Sequence, residues 1–260
     1  MHDLQDIINF KLHPIDNSNL YVKRCRDELQ KNFILFLNNF LAEKTLVNLQ
    51  REAQILYNKA FYCSQNHNIL LTEKNTQLDD NHPCNIEVVS DKGCVPHDWI
   101  PENSSLRIIY NSSLFKNFIQ SLLSVEKIYP YADTLSSINY NYYKKGQQLG
   151  WHFDNASFAI SLMIQSPASG GNFQYVVNAR NEKNILNVQL VDSVLKNKYP
   201  AKELRIEEGT LVLFYGSNYL HRVTPVISNK HRVLVTLNYN LQKNIELSEN
   251  ARLTFFGRTH

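Results

Sequence analysis

The sequence predicts an α+β protein, with a helical first half packed outside a barrel or sandwich of two antiparallel sheets. Three observations lead there. Six of the eight glycines fall between Gly146 and Gly216, and only Gly93 precedes residue 145. Apolar residues recur at helical spacing in the first half. From residue 135 the apolar period shortens to two, and short runs alternate with turns rich in Gly and Pro.

The elements follow in order. Leu29, Phe33, Phe36, Leu37, Phe40 and Leu41 recur with a period near 3.6, so a helix with one buried face is expected over 21–43. A second helix is expected over 48–60. Residues 64–105 are polar, with Asn, Asp, Pro and Ser throughout, and read as a long excursion and candidate lid. A third helix fits 113–124, where Leu114, Phe118, Ile119, Leu122 and Leu123 share a face and Asn111, Ser112 and Ser113 offer caps. Beyond it, Ile138, Tyr140 and Tyr142 alternate with Asn139, Asn141 and Tyr143, the pattern of a strand. Lys144-Lys145-Gly146 turns the chain. Strands are expected over 157–164, 173–177, 210–214 and 231–239, with an inserted helix over 184–197.

With 260 residues and 43% hydrophobic content, the chain supports one good-sized core with a helical annex. A single domain over 1–260 is expected, with 1–130 as helical support and 131–260 as the sheet core. The net charge of +3 is small and its charges are interspersed, so nucleic acid is not expected as a partner. No run of 18 apolar residues exists, which argues against a membrane span. Residues 1–6 lack the regions of a signal peptide, so a cytoplasmic protein is expected. The four cysteines are then expected to be free thiols. His82, Cys84, Cys94 and His97 offer a zinc reading, but their spacing matches no compact zinc pattern.

The chemistry concentrates in the second half. Trp151-His152-Phe153-Asp154 holds a His-x-Asp pair, and His221 follows Asp154 by 67 positions. At a strand end, residues two apart point to one face, so His152 and Asp154 are expected inside the barrel and Trp151 and Phe153 outside it. An unpaired carboxylate there is costly, and a cation removes that cost. Two imidazoles and one carboxylate can occupy one face of an iron coordination sphere and leave the other positions open. The alternative is a structural histidine hydrogen-bonded to Asp154. Arg232, eleven residues past His221, offers a planar fork that suits a carboxylate. Its alternative partner is Glu208. If Arg232 points inward, Thr236 and Asn238 do too, and with Asn141 and Asn155 they are candidates for substrate hydrogen bonds. Plain satisfaction of neighbouring backbone groups is the alternative for the asparagines. Arg51, Arg107, Arg180 and Arg222 are candidates for an anionic substrate group, or are solvated surface charges.

These blocks, with Gly170-Gly171-Asn172-Phe173, Leu220-His221-Arg222-Val223-Thr224-Pro225 and Arg252-Leu253-Thr254-Phe255-Phe256-Gly257, resemble the iron(II)/2-oxoglutarate-dependent dioxygenases. They are similar to a bacterial branch of free-amino-acid hydroxylases and radical halogenases. The resemblance covers about 130–260 well and the first half loosely. It implies a double-stranded β-helix (jelly-roll, cupin-like) core with N-terminal helices outside. It implies iron(II) held by His152, Asp154 and His221, 2-oxoglutarate gripped by Arg232, and O2 as oxidant. The implied reaction hydroxylates an unactivated C–H bond of a small molecule, such as an amino acid or its derivative, and releases succinate and CO2. Halogenases of this kind replace the carboxylate ligand by a small residue that leaves room for chloride. This chain keeps Asp154, which implies hydroxylation. Many relatives carry a serine two residues after the arginine, where this chain has Leu234. Another donor is then needed for the co-substrate, a tyrosine or Asn139. Residues that recognise lysine in relatives are not evident, which argues against lysine. Desaturation or cyclisation by the same chemistry, and a non-catalytic cupin-like metal and ligand sensor, are the alternatives.

Overall fold

The computed structural model of the protein describes residues 4–16, 19–181 and 183–260. Residues 1–3, part of the segment read above for a leader, lie outside these. The architecture is mixed, with seven helices and thirteen strands among the described residues.

The first half opens with the short helix α1 (Leu4–Ile7) and then α2 (Asn19–Asn32), which stops well before residue 43. Phe33 takes a left-handed φ of 56°, and the chain leaves the helix as strand β1 (Ile34–Leu37). The expected helix over 21–43 is therefore a helix and a strand. The physical reason is that Phe33 to Leu37 are apolar without a break, so the run satisfies a helical period and a buried strand equally well. Helix α3 (Glu43–Leu56) starts earlier than expected, and a 3₁₀ turn follows at Tyr57–Lys59.

The excursion expected over 64–105 is corrected more strongly. Strands β2 (Phe61–His67) and β3 (Val88–Val95) occupy much of it, as an antiparallel pair at the edge of the main sheet. The segment between them, 68–87, is irregular, and Asn68 and Asn85 brace it with side-chain bonds to its backbone; a 3₁₀ turn at His97–Trp99 and a short loop complete the stretch. Two helices follow. Helix α4 (Ser105–Asn111), which periodicity missed, is capped by Ser104, and α5 (Ser113–Leu123) by Ser112.

The second half supplies β4 (Tyr129–Pro130), β5 (Ile138–Tyr143), β6 (Leu149–His152), β7 (Ala159–Gln165) and β8 (Phe173–Val176). Helix α6 (Val188–Leu195) is inserted before β9 (Lys202–Leu204). Then come β10 (Leu211–Phe214), β11 (Leu220–Val223), β12 (Arg232–Leu237), β13 (Tyr239–Asn240) and the terminal helix α7 (Glu249–Phe256). A seven-stranded antiparallel sheet runs in the order β1-β10-β7-β12-β5-β3-β2, and a four-stranded one in the order β6-β11-β8-β9. The first half thus contributes three strands to the larger sheet, as well as helices.

Alternation along β5 and β12 separates two environments. Tyr140, Tyr142, Val233, Val235 and Leu237 point to the helical side and join the main core with residues of α2, α3, α4 and α5. Helix α3 is tied to that face by polar contacts. The hydroxyls of Tyr140 and Ser104 donate to Glu52 Oε1, both at 2.8 Å, and Tyr142 donates to the Ala53 carbonyl at 2.8 Å. The other face of the sheet, with Asn141, Tyr143, Arg232, Leu234 and Thr236, looks into a cavity that the smaller sheet closes. No helix among the described residues is long and apolar enough to cross a membrane.

Candidate metal centre and its cavity

Strands β6 and β11 pair with His152 directly opposite His221. The imidazoles are therefore cross-strand neighbours on the cavity side, with ring centroids 4.2 Å apart. Trp151 and Phe153 point the other way, as their alternation predicts, into a second core with Ile69, Val176, Val191 and Leu220. Asp154 lies just past the end of β6, and its backbone N–H donates to the Gly216 carbonyl at 3.1 Å. Its Oδ1 stands 3.4 Å from His152 Nε2 and 3.6 Å from His221 Nε2. One ligand atom from each of the three lies within 4.8 Å of the others, and among the described residues this is the one such group found.

Backbone carbonyls orient both rings. His152 Nδ1 donates to the Gly150 carbonyl at 2.8 Å, and His221 Nδ1 to the Tyr219 carbonyl at 2.9 Å. With Nδ1 carrying the proton, each Nε2 lone pair faces Asp154, the tautomer a metal requires. Burial lowers the pKa of His152 below the ordinary imidazole value, and His221 beside it adds to the effect, both favouring the neutral ring. Burial opposes the charge of Asp154, whereas positive charge at His221 and His152, present when a ring is protonated, pulls its carboxyl far below the usual range; a divalent cation between the three groups would act in the same sense. Two imidazoles that present Nε2 and one carboxylate form a donor set that fits a divalent metal with open positions.

Arg232, at the start of β12, faces the same cavity. Only 2% of its surface is exposed, and its Nε and Nη1 have no hydrogen-bond partner. Burial pulls its pKa down, with Tyr143 acting in the opposite sense. Glu208, the alternative partner, is engaged elsewhere, by Lys230 Nζ at 2.7 Å, Gln50 Nε2 and the Ser166 N–H. An orphaned, planar guanidinium aimed into a cavity fits a carboxylate ligand.

The remaining expectations divide. Asn141 and Thr236 line the cavity. Asn139 does not, since its amide donates to the Leu135 and Ile138 carbonyls at 2.7 and 2.8 Å. Asn238 is turned the same way, donating to the Ser136 carbonyl and to Asn139 Oδ1. Both asparagines close a local network at the far end of the sheet, which corrects their expected ligand roles. Asn155 is exposed and outside the cavity lining, because the chain has left β6 and alternation no longer places it. The four arginines proposed for an anionic group are also outside. Arg180 and Arg222 stack on Phe153 and Trp151 at 4.0 and 4.7 Å, Arg107 holds the His97–Ile100 turn, and Arg51 lies on the helical side. The zinc reading finds no cluster among the described residues. His231, by contrast, stacks on Tyr57 outside the cavity, as its place before Arg232 suggests.

Sequence reasoning missed the wall built by β2 and β3, from which Gln65, His67, Ser90 and Lys92 line the cavity. The signal was present but faint: Cys63, Gln65 and His67 alternate, as do Ser90, Lys92 and Cys94, but both faces of this hairpin are polar.

Residues 17–254 match the family described as Halogenase D. No curated protein matches the chain. Among solved structures, a 2OG-Fe(II) oxygenase family oxidoreductase from Burkholderia pseudomallei is 11% identical over 88% of this chain and 95% of its own, with a TM-score of 0.56. A prolyl-4-hydroxylase from Pseudomonas putida is 12% identical over 83% and 96%, with a TM-score of 0.51. The epimerase SnoN, solved with Fe3+, alpha ketoglutarate and nogalamycin RO, is 8% identical over 86% and 84%, with a TM-score of 0.58. At these identities the likeness is one of fold.

Proposed function

The chain belongs to the Halogenase D family, within the iron(II)/2-oxoglutarate oxygenase superfamily, and from that premise we propose that it hydroxylates an unactivated C–H bond of a small molecule with release of succinate and CO2. The reading takes the two facing sheets as a double-stranded β-helix and the chain as a single domain. One observation carries it: His152, Asp154 and His221 converge in the cavity into which the unpaired guanidinium of Arg232 points. Retention of Asp154 favours hydroxylation over halogenation, because its carboxylate fills the position that a halide would need.

Each residue has a definite task in this reading. His152, Asp154 and His221 hold iron(II), and the Gly150 and Tyr219 carbonyls keep the two imidazoles in the ligating tautomer. Arg232 grips the distal carboxylate of 2-oxoglutarate through two parallel N–H bonds, and the ring of Tyr143, 5.1 Å from its charge, keeps water from it. Phe173 and Phe214 pack against the His221 ring at 5.8 and 4.8 Å and keep the metal side dry. With O2, iron and 2-oxoglutarate together supply an oxidant able to break an aliphatic C–H bond. The cavity, about 300 Å³, is at the small end of ligand sites, which suits a co-substrate and a small substrate rather than a folded partner.

The test is a screen of amino acids, their derivatives and small carboxylic acids for stimulated succinate release with iron(II), 2-oxoglutarate and O2, followed by product mass. A gain of one oxygen atom is expected. Loss of two hydrogens would redirect the reading to desaturation or cyclisation, and iron binding without any succinate release would reject enzymatic turnover.

A further inference from the structure

Lys92 is the cavity cation that the proposed chemistry leaves unused. It lies on β3, one residue beyond the Gly93–Tyr142 pair, and so comes level with Tyr143, the partner of Arg232 on β12. Arg232 and Lys92 therefore flank Tyr143 in one row across the cavity face of the sheet. Lys92 Nζ donates to Asn141 Oδ1 at 2.7 Å and stands 5.4 Å from the Phe255 ring. It belongs to none of the ion pairs among the described residues. An ammonium has three N–H donors, and a neutral amide oxygen takes one of them. Asp91, next in sequence, points to the other face and accepts from the Gln148 N–H.

Charge balance turns this into a statement about substrate, resting on the oxygenase reading above. A divalent iron and the 2-oxoglutarate dianion cancel. Asp154 offsets Arg232. Lys92 is left over, in a cavity where Asp154, already committed to the metal, is the only lining carboxylate among the described residues. A substrate that completes the balance carries one negative charge. Among the described residues no other acidic side chain lines the cavity to receive an ammonium, so a free amino group finds no carboxylate partner among them. Around Lys92 the wall mixes Gln65, His67 and Ser90 with Leu71, Leu149 and Phe255, and so suits a polar head on an apolar body.

We propose that Lys92, held by Asn141, binds the carboxylate of a monoanionic substrate with an apolar body and no free amino group, such as a deaminated or N-acylated amino acid. Ser90, two residues along the same face of β3, and His67, which bonds it, line the same cavity as further hydrogen-bonding groups. The His67 Nε2 and Ser90 hydroxyl already bond each other at 2.5 Å, and Ser90 also accepts from the Gly150 N–H. This ties the head-group pocket to the strand that carries His152.

The experiment is calorimetric binding to protein carrying Mn(II) and 2-oxoglutarate, and again to protein without metal. The probes share a body and differ in charge: 4-methylpentanoate, N-acetyl-leucine, leucine and 3-methylbutylamine. The first two are expected to bind the native protein, leucine to bind at least about tenfold more weakly than either, and the amine not to bind; leucine as tight as the two acids would overturn the exclusion of a free amino group. Lys92→Met is expected to weaken the carboxylates by roughly tenfold or more while leaving 2-oxoglutarate within about threefold, and Lys92→Arg to retain most of the affinity. Carboxylate binding unchanged in Lys92→Met, an amine that binds as tightly as the acids, no carboxylate binding to native protein, or a loss that falls on 2-oxoglutarate instead would each overturn the assignment. Failure of native protein to take up Mn(II) and 2-oxoglutarate rejects the oxygenase reading separately, because the metal-free titration still tests Lys92.

Discussion

Gly216 backs directly onto Asp154: a Cβ built on Gly216 would lie 1.7 Å from Asp154 Oδ2 and 2.4 Å from its carboxyl carbon. The obstruction would be the group proposed to bind the metal, and the Gly216 carbonyl also holds the Asp154 backbone N–H. A side chain at 216 and a carboxylate in its present pose are incompatible. Gly216→Ala is therefore expected to swing the carboxylate off its line with the two imidazoles and to weaken divalent-metal affinity by roughly tenfold or more. Calorimetric titration with Mn(II) measures this, and native affinity in the variant would show that Asp154 does not need this pose.

Removing the carboxylate itself is the stronger test. Asp154→Ala is expected to abolish substrate-dependent succinate production while leaving the fold intact, because the side chain is partly exposed and alanine keeps the backbone bond to the Gly216 carbonyl. Far-ultraviolet circular dichroism controls for folding. Full turnover in this variant removes Asp154 from the ligand set.

Arg232 gives a prediction with two opposite signs. Its buried, unpaired guanidinium is a cost to the protein without 2-oxoglutarate. Arg232→Leu is expected to raise the stability of that form in urea, by about 1 kcal/mol or more. The same change is expected to weaken 2-oxoglutarate by about 2–5 kcal/mol, the loss of a buried charge pair. Native protein should then gain thermal stability on adding 2-oxoglutarate and metal, and the variant should not. A variant that is both less stable and equally responsive contradicts the anchoring role.

Acid should destabilise the metal-free protein earlier than carboxylate titration alone would. Burial lowers the pKa of His13, His97, His152 and His231 below the ordinary 6.5. Above that value both folded and unfolded states are neutral at these positions, and they contribute nothing to the pH dependence. As pH falls through 6.5, the unfolded chain takes up protons that the folded protein refuses, so stability falls with pH until the folded imidazoles titrate. Urea unfolding at pH 8, 6.5 and 5.5 measures the slope. A flat profile between pH 8 and 5.5 would contradict it. Bound metal should steepen the loss, because protons then compete for the ligating nitrogens as well.

The candidate metal centre was legible because its signals are short in sequence. His152-x-Asp154 sets two candidate ligands at one strand end, and strand alternation alone sends Trp151 and Phe153 the other way. Alternation also separated Arg232, Leu234 and Thr236 from Val233, Val235 and Leu237. It failed where the strand had ended or where both faces carry similar residues. Asn139 and Asn238 share the parity of cavity residues but sit past the cavity's end, bonded to each other and to the backbone. Phe33 to Leu37 read as helix because an unbroken apolar run has no period to measure. The β2–β3 hairpin read as a loop because its residues are polar on both sides.

The sequence by itself determined which residue types carry chemistry and which way neighbours on one strand point, since both follow from local geometry of about 3.3 Å per residue. Only the tertiary structure decided which strands lie side by side. The order β12-β5-β3 brings Lys92 level with Arg232, and the pairing of β6 with β11 sets His152 opposite His221. Those adjacencies come from packing two sheets and their helices around shared apolar faces, a cooperative choice that no local period encodes.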